Sequence, residues 1–223
     1  MDRTLNRDTY DRFKQDIMKF VLKPGEPVSA AKLAERYHVS RTPAREALVK
    51  LQTEGLVDIF PQSKSMISRI NIQRAKQEWF IRSTLELGMV DDFFENRTDQ
   101  DLELMSAYNR RMKELKAQPP THESAYRYIN FDNDFHAVTY MAARQGLAAT
   151  VISGTMTHYN RIRLLVDLET EFKDRTLHIH DQLVEYARTG EKEAYRELLR
   201  QHLGYILSDI ELMSKMYPDY FEV

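Results

Sequence analysis

The chain of 223 residues contains no cysteine, which excludes disulfide bonds and thiolate metal sites. Glycine and proline are scarce, at seven residues each, so few positions force a helix to end. No apolar run approaches the length of about 18 residues that a membrane-spanning helix needs, and no apolar signal segment opens the sequence. These absences predict a cytoplasmic protein without a membrane partner.

The charge of the chain is unevenly distributed, although its formal net value is only −2. Residues 1–70 contain 13 Lys and Arg against 9 Asp and Glu, a net of +4, whereas residues 71–223 contain 19 against 25, a net of −6. A basic part on an acidic body is typical of a DNA-binding domain joined to a domain with another task. We therefore predict two domains, 1–70 and 71–223.

The most informative stretch is VSRTPAREAL, from Val39 to Leu48. Ser40 is a residue type that caps helices, Pro43 suits a first helical turn, and the apolar residues that follow recur at helical spacing. Arg41 and Arg45 project from the N-terminal end of this helix, which is the end that a helix-turn-helix inserts into the major groove. Exposed arginines are also often merely solvated, so the neighbouring segments must decide between the two interpretations.

The neighbouring segments favour DNA binding. A second capped helix is predicted from Val28 to Tyr37, and only residues 38–40 separate the two helices. Downstream, Gly55 is predicted to end the helix that carries Arg41 and Arg45. Residues 57–60 and 66–70 are then predicted to form two short strands around a turn. Two helices followed by a hairpin predict a winged helix-turn-helix.

This succession of motifs resembles the DNA-binding domain of the GntR family of bacterial regulators, over about residues 7–70. The matching segments are KPGE at 23–26, LA at 33–34, VSRTPAREAL at 39–48 and EGLV at 54–57. One departure lies at the wing tip, where SKS at 63–65 replaces the glycine that the family often has. Base contacts are predicted for Arg41 and Arg45. Mainly phosphate contacts are predicted for Thr42, Lys32 and Lys64.

The remainder of the chain has few turn signals, and its apolar residues recur at helical spacing. The helices predicted there cover residues 73–95, 99–117, 121–143, 145–168, 173–189 and 191–215. At the other end, residues 7–22 are predicted to form an amphipathic helix after a loose tail, 1–6. The chain is therefore predicted to be mainly α, with an N-terminal winged helix-turn-helix followed by an all-α bundle.

Four polar residues occupy helix positions at which a core residue is expected. His180 and His202 each lie in the middle of an apolar stripe at helical spacing, and Asp132 and His136 are four apart and share a helix face. A buried carboxylate needs compensation, and three imidazoles with one carboxylate suit zinc, manganese or nickel. The alternative is that these are hydrogen-bonded core residues without a metal.

The same segments resemble the FCD effector-binding domain, which FadR-type members of the GntR family carry. The matching segments are DNDFH at 132–136, His180 with QLV at 182–184, and RQHL at 200–203. Many FCD domains hold a metal on an aspartate, a histidine four residues later and two further histidines. The resemblance, over about residues 73–215, therefore implies a metal bound by Asp132, His136, His180 and His202.

A second part of this resemblance is the spacing of Glu78, Arg82 and Glu86 on the first bundle helix. Residues four apart on a helix are neighbours, so the three equally suit an ordinary ion-paired surface. FCD domains tend to have an arginine and a glutamate at this spacing, and the arginine can face the cavity. The resemblance makes Arg82 the first candidate for binding an anionic effector, with Asn160 and Arg163 as weaker ones.

Together these features predict a homodimeric, ligand-responsive transcriptional regulator, with repression as its expected action. Two winged domains would read a palindromic operator in double-stranded DNA. The expected effector is a small carboxylate, such as a sugar acid, that completes the coordination of the metal. Two alternatives stay open: a metal-dependent hydrolase or oxygenase, with Glu86 or Asp134 as its base, and a sensor of the metal ion itself. The attached DNA-binding domain argues against the enzyme.

Overall fold

The computed structural model describes residues 2–60, 65–117, 119–169 and 173–222. The N-terminal unit consists of α1 (Asp2–Met18), β1 (Pro27–Val28), α2 (Ala30–Tyr37), α3 (Arg41–Thr53), β2 (Val57–Asp58) and β3 (Ser65–Ile67). These elements enclose a hydrophobic core of their own. Its largest buried side chains are Phe13, Ile17, Leu33, Leu51 and Leu56.

Helix α1 differs from its prediction at the N-terminal end. It begins at Asp2, so the expected loose tail is wrong for residues 2–6, which contain no glycine or proline and continue the helix. The predicted amphipathic character is confirmed, because Phe13 and Ile17 are fully buried and α1 packs against α3. The helix ends at Met18, and Phe20, with a φ of 55°, turns the chain into the KPGE segment.

The turn between α2 and α3 has the predicted length of three residues, 38–40. Ser29 caps α2 by accepting a hydrogen bond from the Lys32 N–H at 3.3 Å. Ser40 stands at the N-cap of α3, but its side chain makes no capping bond. After α3, Gly55 has a φ of 74°, and a Cβ atom there would lie 2.0 Å from the guanidinium of Arg74. Only glycine therefore fits this helix end.

The wing contains one strand more than predicted. The three strands are antiparallel in the order β1-β3-β2, with Pro27 opposite Met66 and Val57 opposite Ile67. Strand β1 has only two residues, too few for an alternating pattern to reveal it. The two predicted strands are confirmed at shorter lengths. The tip, residues 61–64, includes Lys64 and lies outside the described residues.

The helical unit follows and confirms the predicted all-α architecture. Its elements are α4 (Ile72–Gly88), α5 (Val90–Asn96), α6 (Asp99–Lys116), α7 (His122–Ala142), α8 (Gly146–Thr155), α9 (His158–Leu168), α10 (Lys173–Thr189), α11 (Lys192–Gly204), α12 (Ile206–Met216) and a 3-10 turn (Pro218–Tyr220). Its core is separate from that of the N-terminal unit, and Phe93, Phe135 and Leu183 are buried there. Within the described part of the chain, no helix has both the length and the apolar character that crossing a membrane requires.

Three of the predicted bundle helices are interrupted. The first and the last break at Met89 and Tyr205, each directly after a glycine, which stabilises a helix poorly. The third break lies at Met156, whose backbone leaves the helical region with φ of −77° and ψ of 69°. Because of this break, the residues that begin α9 can bond to the N-terminal unit.

The C-terminal segment pairs with the linker between the two units. The Ile70 N–H donates to the carbonyl of Tyr220 at 2.8 Å, and the Glu222 N–H donates to the carbonyl of Ile70 at 3.1 Å. Asn71 then caps α4 by accepting from the Arg74 N–H at 2.8 Å, as its position before an amphipathic helix predicts. The linker is therefore short and held on both sides.

Candidate functional site

The first turns of α3 present the side chains that are predicted to contact DNA. Arg41, Thr42 and Arg45 are exposed, while the opposite face of the helix is buried. Lys32 on α2 is exposed as well, and Lys64 belongs to the wing tip that is not described. Two guanidinium groups beside a helix N-terminus can read guanine edges and bind phosphate. The exposure fits these roles, and the individual contacts remain predictions.

Four side chains meet inside the helical unit at the predicted metal site. Asp132 and His136 come from α7, His180 from α10 and His202 from α11. Nε2 of His202 lies 3.3 Å from Nε2 of His136 and 3.4 Å from Nε2 of His180. The carboxylate oxygens of Asp132 lie 3.8 Å from Nε2 of His136 and 3.6 Å from Nε2 of His180. One donor atom of each residue lies within 4.8 Å of the others.

Asp132, His180 and His202 have the protonation states in which such side chains ligate metals. Burial lowers the pKa of His202 to about 3 and that of His180 well below its usual value, so both imidazoles are neutral. Burial alone would raise the pKa of Asp132. The guanidinium of Arg163 opposes burial and holds the pKa of Asp132 well below its usual range. Neutral imidazoles and an ionised carboxylate are ready to bind a cation without losing a proton.

Glu86 orients one of the imidazoles. The Nδ1 atom of His136 lies 2.9 Å from Oε2 of Glu86, and a hydrogen bond from Nδ1–H leaves the lone pair of Nε2 facing the cluster. Glu86 also accepts hydrogen bonds from Nε of Arg82 at 2.6 Å and from the hydroxyl of Tyr140. Burial would raise the pKa of Glu86, but Arg82 holds it well below its usual range. A carboxylate occupied in this way supports an imidazole and is not a free catalytic base.

His180 is fixed by stacking. Its ring lies on that of Phe135, with centroids 3.9 Å apart and planes within 3° of each other. Its Nδ1 is buried and has no hydrogen-bond partner among the described residues. The Nε2 atoms of His136, His180 and His202 face one another. A hydrogen bond between two of these nitrogens needs a proton on one of them, and one proton satisfies only one of the two contacts. A divalent transition metal accepts all three lone pairs and the carboxylate, so the donor set fits a metal.

The three predicted effector-binding residues lie beside this cluster and already have partners. Arg82 is buried and, besides its bond to Glu86, lies 3.7 Å from Asp132. Arg163 binds the carboxylate of Asp132, and its Nη1 donates to Oδ1 of Asn160 at 3.0 Å. Both arginines line a cavity of about 60 Å³ that also reaches Asp132. Its charged lining suits the carboxylate group of a ligand.

The ion-paired surface interpretation of the first bundle helix is wrong, because Glu78, Arg82 and Glu86 are all buried. Glu78 belongs to the junction with the N-terminal unit rather than to the metal cluster. Its Oε2 accepts from the N–H of Tyr159 at 2.8 Å, and its Oε1 accepts from Nε of Arg74 at 3.1 Å. Arg74 in turn donates to the carbonyl that ends α3, at 2.7 Å.

A second buried group at this junction was not predicted from the sequence. Arg161, on α9, has no exposed surface, and its Nη1 donates to the carbonyl of Ser68 at 2.7 Å. Nδ1 of His158 accepts from Nη2 of Arg161 at 2.9 Å and from the N–H of Asn71 at 3.0 Å. Helix α9 therefore contacts the base of the wing through Arg161 and the metal cluster through Arg163. Arg161 and Ser68 are 93 positions apart in the sequence, so no local pattern predicts this contact.

Both parts of the chain match known protein families. Residues 5–67 match the gntR family of bacterial regulatory proteins, and residues 79–205 match the FCD domain. The chain belongs to the gntR family and carries an FCD domain. Both resemblances read from the sequence motifs are thereby confirmed. The winged helix-turn-helix corresponds to the first match, and the helices that carry the metal cluster lie within the second.

Relatives of this GntR–FCD chain match it over nearly its whole length. An HTH-type transcriptional regulator in an unstable DNA locus of Streptomyces ambofaciens is 29% identical over 220 residues, with 98% of this chain and 90% of the relative covered. The HTH-type transcriptional repressor RspR of Escherichia coli (strain K12) is 23% identical over 217 residues, with 97% and 93% covered. These relatives are regulators, and the chain is a DNA-binding transcriptional regulator, not an enzyme.

Solved structures show the same fold. E. coli McbR/YncC superposes with a TM-score of 0.74 at 20% identity and covers 96% of this chain and 98% of its own. A transcriptional regulator GntR from Rhodococcus sp. RHA1 superposes with a TM-score of 0.73 at 17% identity, with 95% and 98% covered. The predicted architecture, a winged helix-turn-helix joined to an FCD-type helical domain, is confirmed.

Proposed function

We propose that this GntR–FCD regulator is a cytoplasmic homodimer that binds operator DNA, holds a divalent metal and responds to a small organic acid. Residues 1–70 would form the DNA-binding domain, and residues 71–223 the metal- and effector-binding domain. One observation carries the proposal: buried neutral imidazoles and an ionised carboxylate converge in a domain that is bonded through α9 to a helix-turn-helix.

The DNA contacts follow from the exposed face of α3. Arg41 and Arg45 would read base edges in the major groove, because a guanidinium fork matches guanine O6 and N7. Phosphate contacts, which position the protein without specifying sequence, would come from Thr42, Lys32 and Lys64.

An uncharged surface supports the proposed dimer. Phe80 on α4 is 63% exposed, Met141 at the end of α7 is 64% exposed, and Leu147 on α8 is 80% exposed. Helix α8 contains no charged residue, although 30% of the chain is charged. Missing charge together with exposed aromatic and methionine side chains is typical of interface centres. A two-fold dimer through this face would present two recognition helices to the half-sites of a palindrome.

The metal would be held by Asp132, His136, His180 and His202. Three imidazole nitrogens and one carboxylate oxygen suit zinc, manganese or nickel, and the set leaves coordination positions open. When bound, the metal supplies positive charge and a Lewis-acid position for a ligand oxygen. Glu86 would keep His136 in the tautomer that ligates.

The effector would be an anion, because the charges around the cluster are balanced without the metal. The guanidinium groups of Arg82 and Arg163 already face the carboxylates of Glu86 and Asp132, which leaves the charge of a bound cation uncompensated. A small organic or sugar acid would place its carboxylate in the cavity of about 60 Å³, beside Arg82 and Arg163. Its binding alters DNA affinity only if it favours one arrangement of the two domains over the other.

Repression is the proposed mode of action, supported by the E. coli relative that is named a repressor. A second candidate is a sensor in which the metal ion itself is the signal. The four converging donor atoms support this second candidate, because they suit a metal ion whether or not an acid is bound beside it.

Selection of fragments from a random DNA library by the purified, zinc-loaded protein tests the proposal. We expect a palindromic site, and no enrichment would contradict the proposed DNA binding. Fluorescence anisotropy on the selected site then compares zinc-loaded and metal-stripped protein, each with and without gluconate and citrate as probe acids. An acid effect that requires zinc supports the acid sensor, and a zinc effect alone supports the metal sensor.

A further inference from the structure

Two neighbouring cavities are larger than the one beside the metal cluster, and only the first of them reaches the N-terminal unit. One, of about 340 Å³, lies between α1 and helices α7 and α9. The other, of about 520 Å³, lies between α7 and α8. Both are lined by Asn133, Ser153, Met156 and Asn160, so they meet at these residues. Their volumes are those of small-molecule sites, which range from about 300 to 1,000 Å³.

The two asparagines have a defined orientation at this meeting point. Nη1 of Arg163 donates to Oδ1 of Asn133 at 2.7 Å and to Oδ1 of Asn160 at 3.0 Å. A guanidinium has only donors, so the amide oxygens must face it and the amide nitrogens must face away. Among the described residues, none accepts a hydrogen bond from either nitrogen. The residues that line both cavities therefore offer solvent-accessible N–H donors to a ligand.

Apolar walls extend from these donors in both directions. Ile129 and Leu164 line the first cavity, and Ala137, Met141 and Ile152 line the second. We propose that these adjacent cavities bind a small amphipathic molecule at the residues that line both of them. Its polar head, with carboxylate or carbonyl oxygens, would accept hydrogen bonds from Asn133 and Asn160, and its short apolar tail would lie along α7 and α8.

This site differs from the metal cluster in place and in chemistry, yet Arg163 connects the two. One guanidinium holds both amides and the carboxylate of Asp132. Lys14, Gln15 and Met18 of α1 form the opposite wall, so an occupant contacts the N-terminal unit directly. A role as a second effector rests on the proposed function, whereas the binding itself does not.

Hexanoate and hexylammonium are matched probes for the site, because they share a tail and differ in whether the head accepts or donates. Isothermal titration of the zinc-loaded full chain should show one saturable hexanoate site per chain and at least tenfold weaker binding of hexylammonium. Asn160→Asp replaces the donor nitrogen with oxygen at constant size. It should weaken hexanoate binding by about tenfold or more, the effect of losing a hydrogen bond to a charged group.

The control is Asn96→Asp, which alters an asparagine on α5 that lines neither cavity, and it should bind hexanoate like the parent. Ser153→Phe, which places a ring in the shared part of the cavities, provides an independent variant should Asn160→Asp not fold, and it should also abolish binding. Zinc content and thermal unfolding verify that each variant is folded.

Absent hexanoate binding, equal binding of both probes, or full binding by the folded variants would overturn the proposal. Binding that disappears with zinc but survives Asn160→Asp would place the acid on the metal, which overturns this site and leaves the proposed function standing. Binding that depends on Asn160 in a protein that selects no DNA would support this site and contradict the proposed function.

Discussion

His158 is a buried neutral acceptor next to the junction of the two domains, so acid should destabilise the protein through this residue. His158 is 2% exposed, and its Nδ1 accepts hydrogen bonds from the Asn71 N–H and from Arg161. Burial, followed by the charge of Arg161, lowers the pKa of His158 from 6.5 to about 2. Between these values only the unfolded chain binds the proton. The contribution to stability is therefore complete above pH 6.5 and is lost as the pH falls below it.

The size of the effect follows from the pKa difference. Each pH unit below 6.5 costs about 1.4 kcal/mol, so His158 accounts for about 2 kcal/mol between pH 7 and pH 5. His180 and His202 are also buried and neutral. The pH dependence of the parent protein alone therefore does not separate the contribution of His158 from theirs. His158→Asn does isolate it, because an asparagine oxygen can replace Nδ1 as an acceptor but does not titrate. The parent should lose about 2 kcal/mol more than this variant between pH 7 and pH 5.

Urea unfolding of zinc-loaded proteins at both pH values gives the two free energies of unfolding, from the midpoint and the slope of each transition. His178→Asn is the matched control, because His178 is an exposed histidine on α10 and its loss should leave the pH dependence of the parent unchanged. Equal losses of stability in the parent and in His158→Asn would refute the argument that this imidazole is buried and neutral.

Three further predictions concern the DNA-binding face, the junction and the dimer. Arg45→Ala should weaken binding to the selected operator by about 1–3 kcal/mol and relax its sequence preference, and an equal loss on random DNA would argue against base reading. Arg161→Met leaves the carbonyl of Ser68 without its Arg161 donor and removes one of the two donors to Nδ1 of His158, and should cost about 2–5 kcal/mol. Thermal unfolding should show this as a decrease of about 2–4 °C per kcal/mol, and an unchanged midpoint would contradict it. Leu147→Glu should convert the dimer to a monomer in light scattering, and an intact dimer would place the interface elsewhere.

The metal cluster was predictable because its signals are local. Asp132 and His136 are one helical turn apart, and His180 and His202 interrupt apolar stripes that must face the core. The pattern within each helix was therefore enough to predict that these residues are buried. The spacing along the sequence could not show that three helices bring these donor atoms to one point. The distances between the donor atoms come from the structure.

The groups that support the cluster were not predictable, because their partners are far apart in the sequence. Glu86 and His136 belong to different helices, and so do Arg163 and Asp132. The spacing of Arg82 and Glu86 did reveal a pair, but an ion pair four residues apart looks the same on a surface and in a core. Burial distinguishes the two cases, and it depends on the packing of the whole bundle.

The fold was likewise predictable where local contacts determine it and was not predictable where contacts distant in the sequence do. Asn71 and Thr98 start helices by capping bonds that involve residues within the next turn, so both starts could be read from the sequence. Strand β1 was missed because its two residues are a strand only through their pairing with β3. The break at Met156 was missed although Gly154 lies two residues before it, because a single glycine inside a helical pattern does not by itself end a helix. The break coincides with contacts across the domain junction.

Native mass spectrometry of the purified protein tests the central claim most directly, that Asp132, His136, His180 and His202 form one metal centre in a dimeric DNA-binding regulator. The account predicts a dimer with one transition metal per chain, and complete loss of the metal in His180→Ala. The neighbouring variant His178→Ala should keep the metal. A parent protein that binds no metal after incubation with zinc, manganese or nickel, or a His180→Ala variant that binds as much as the parent, would contradict the account.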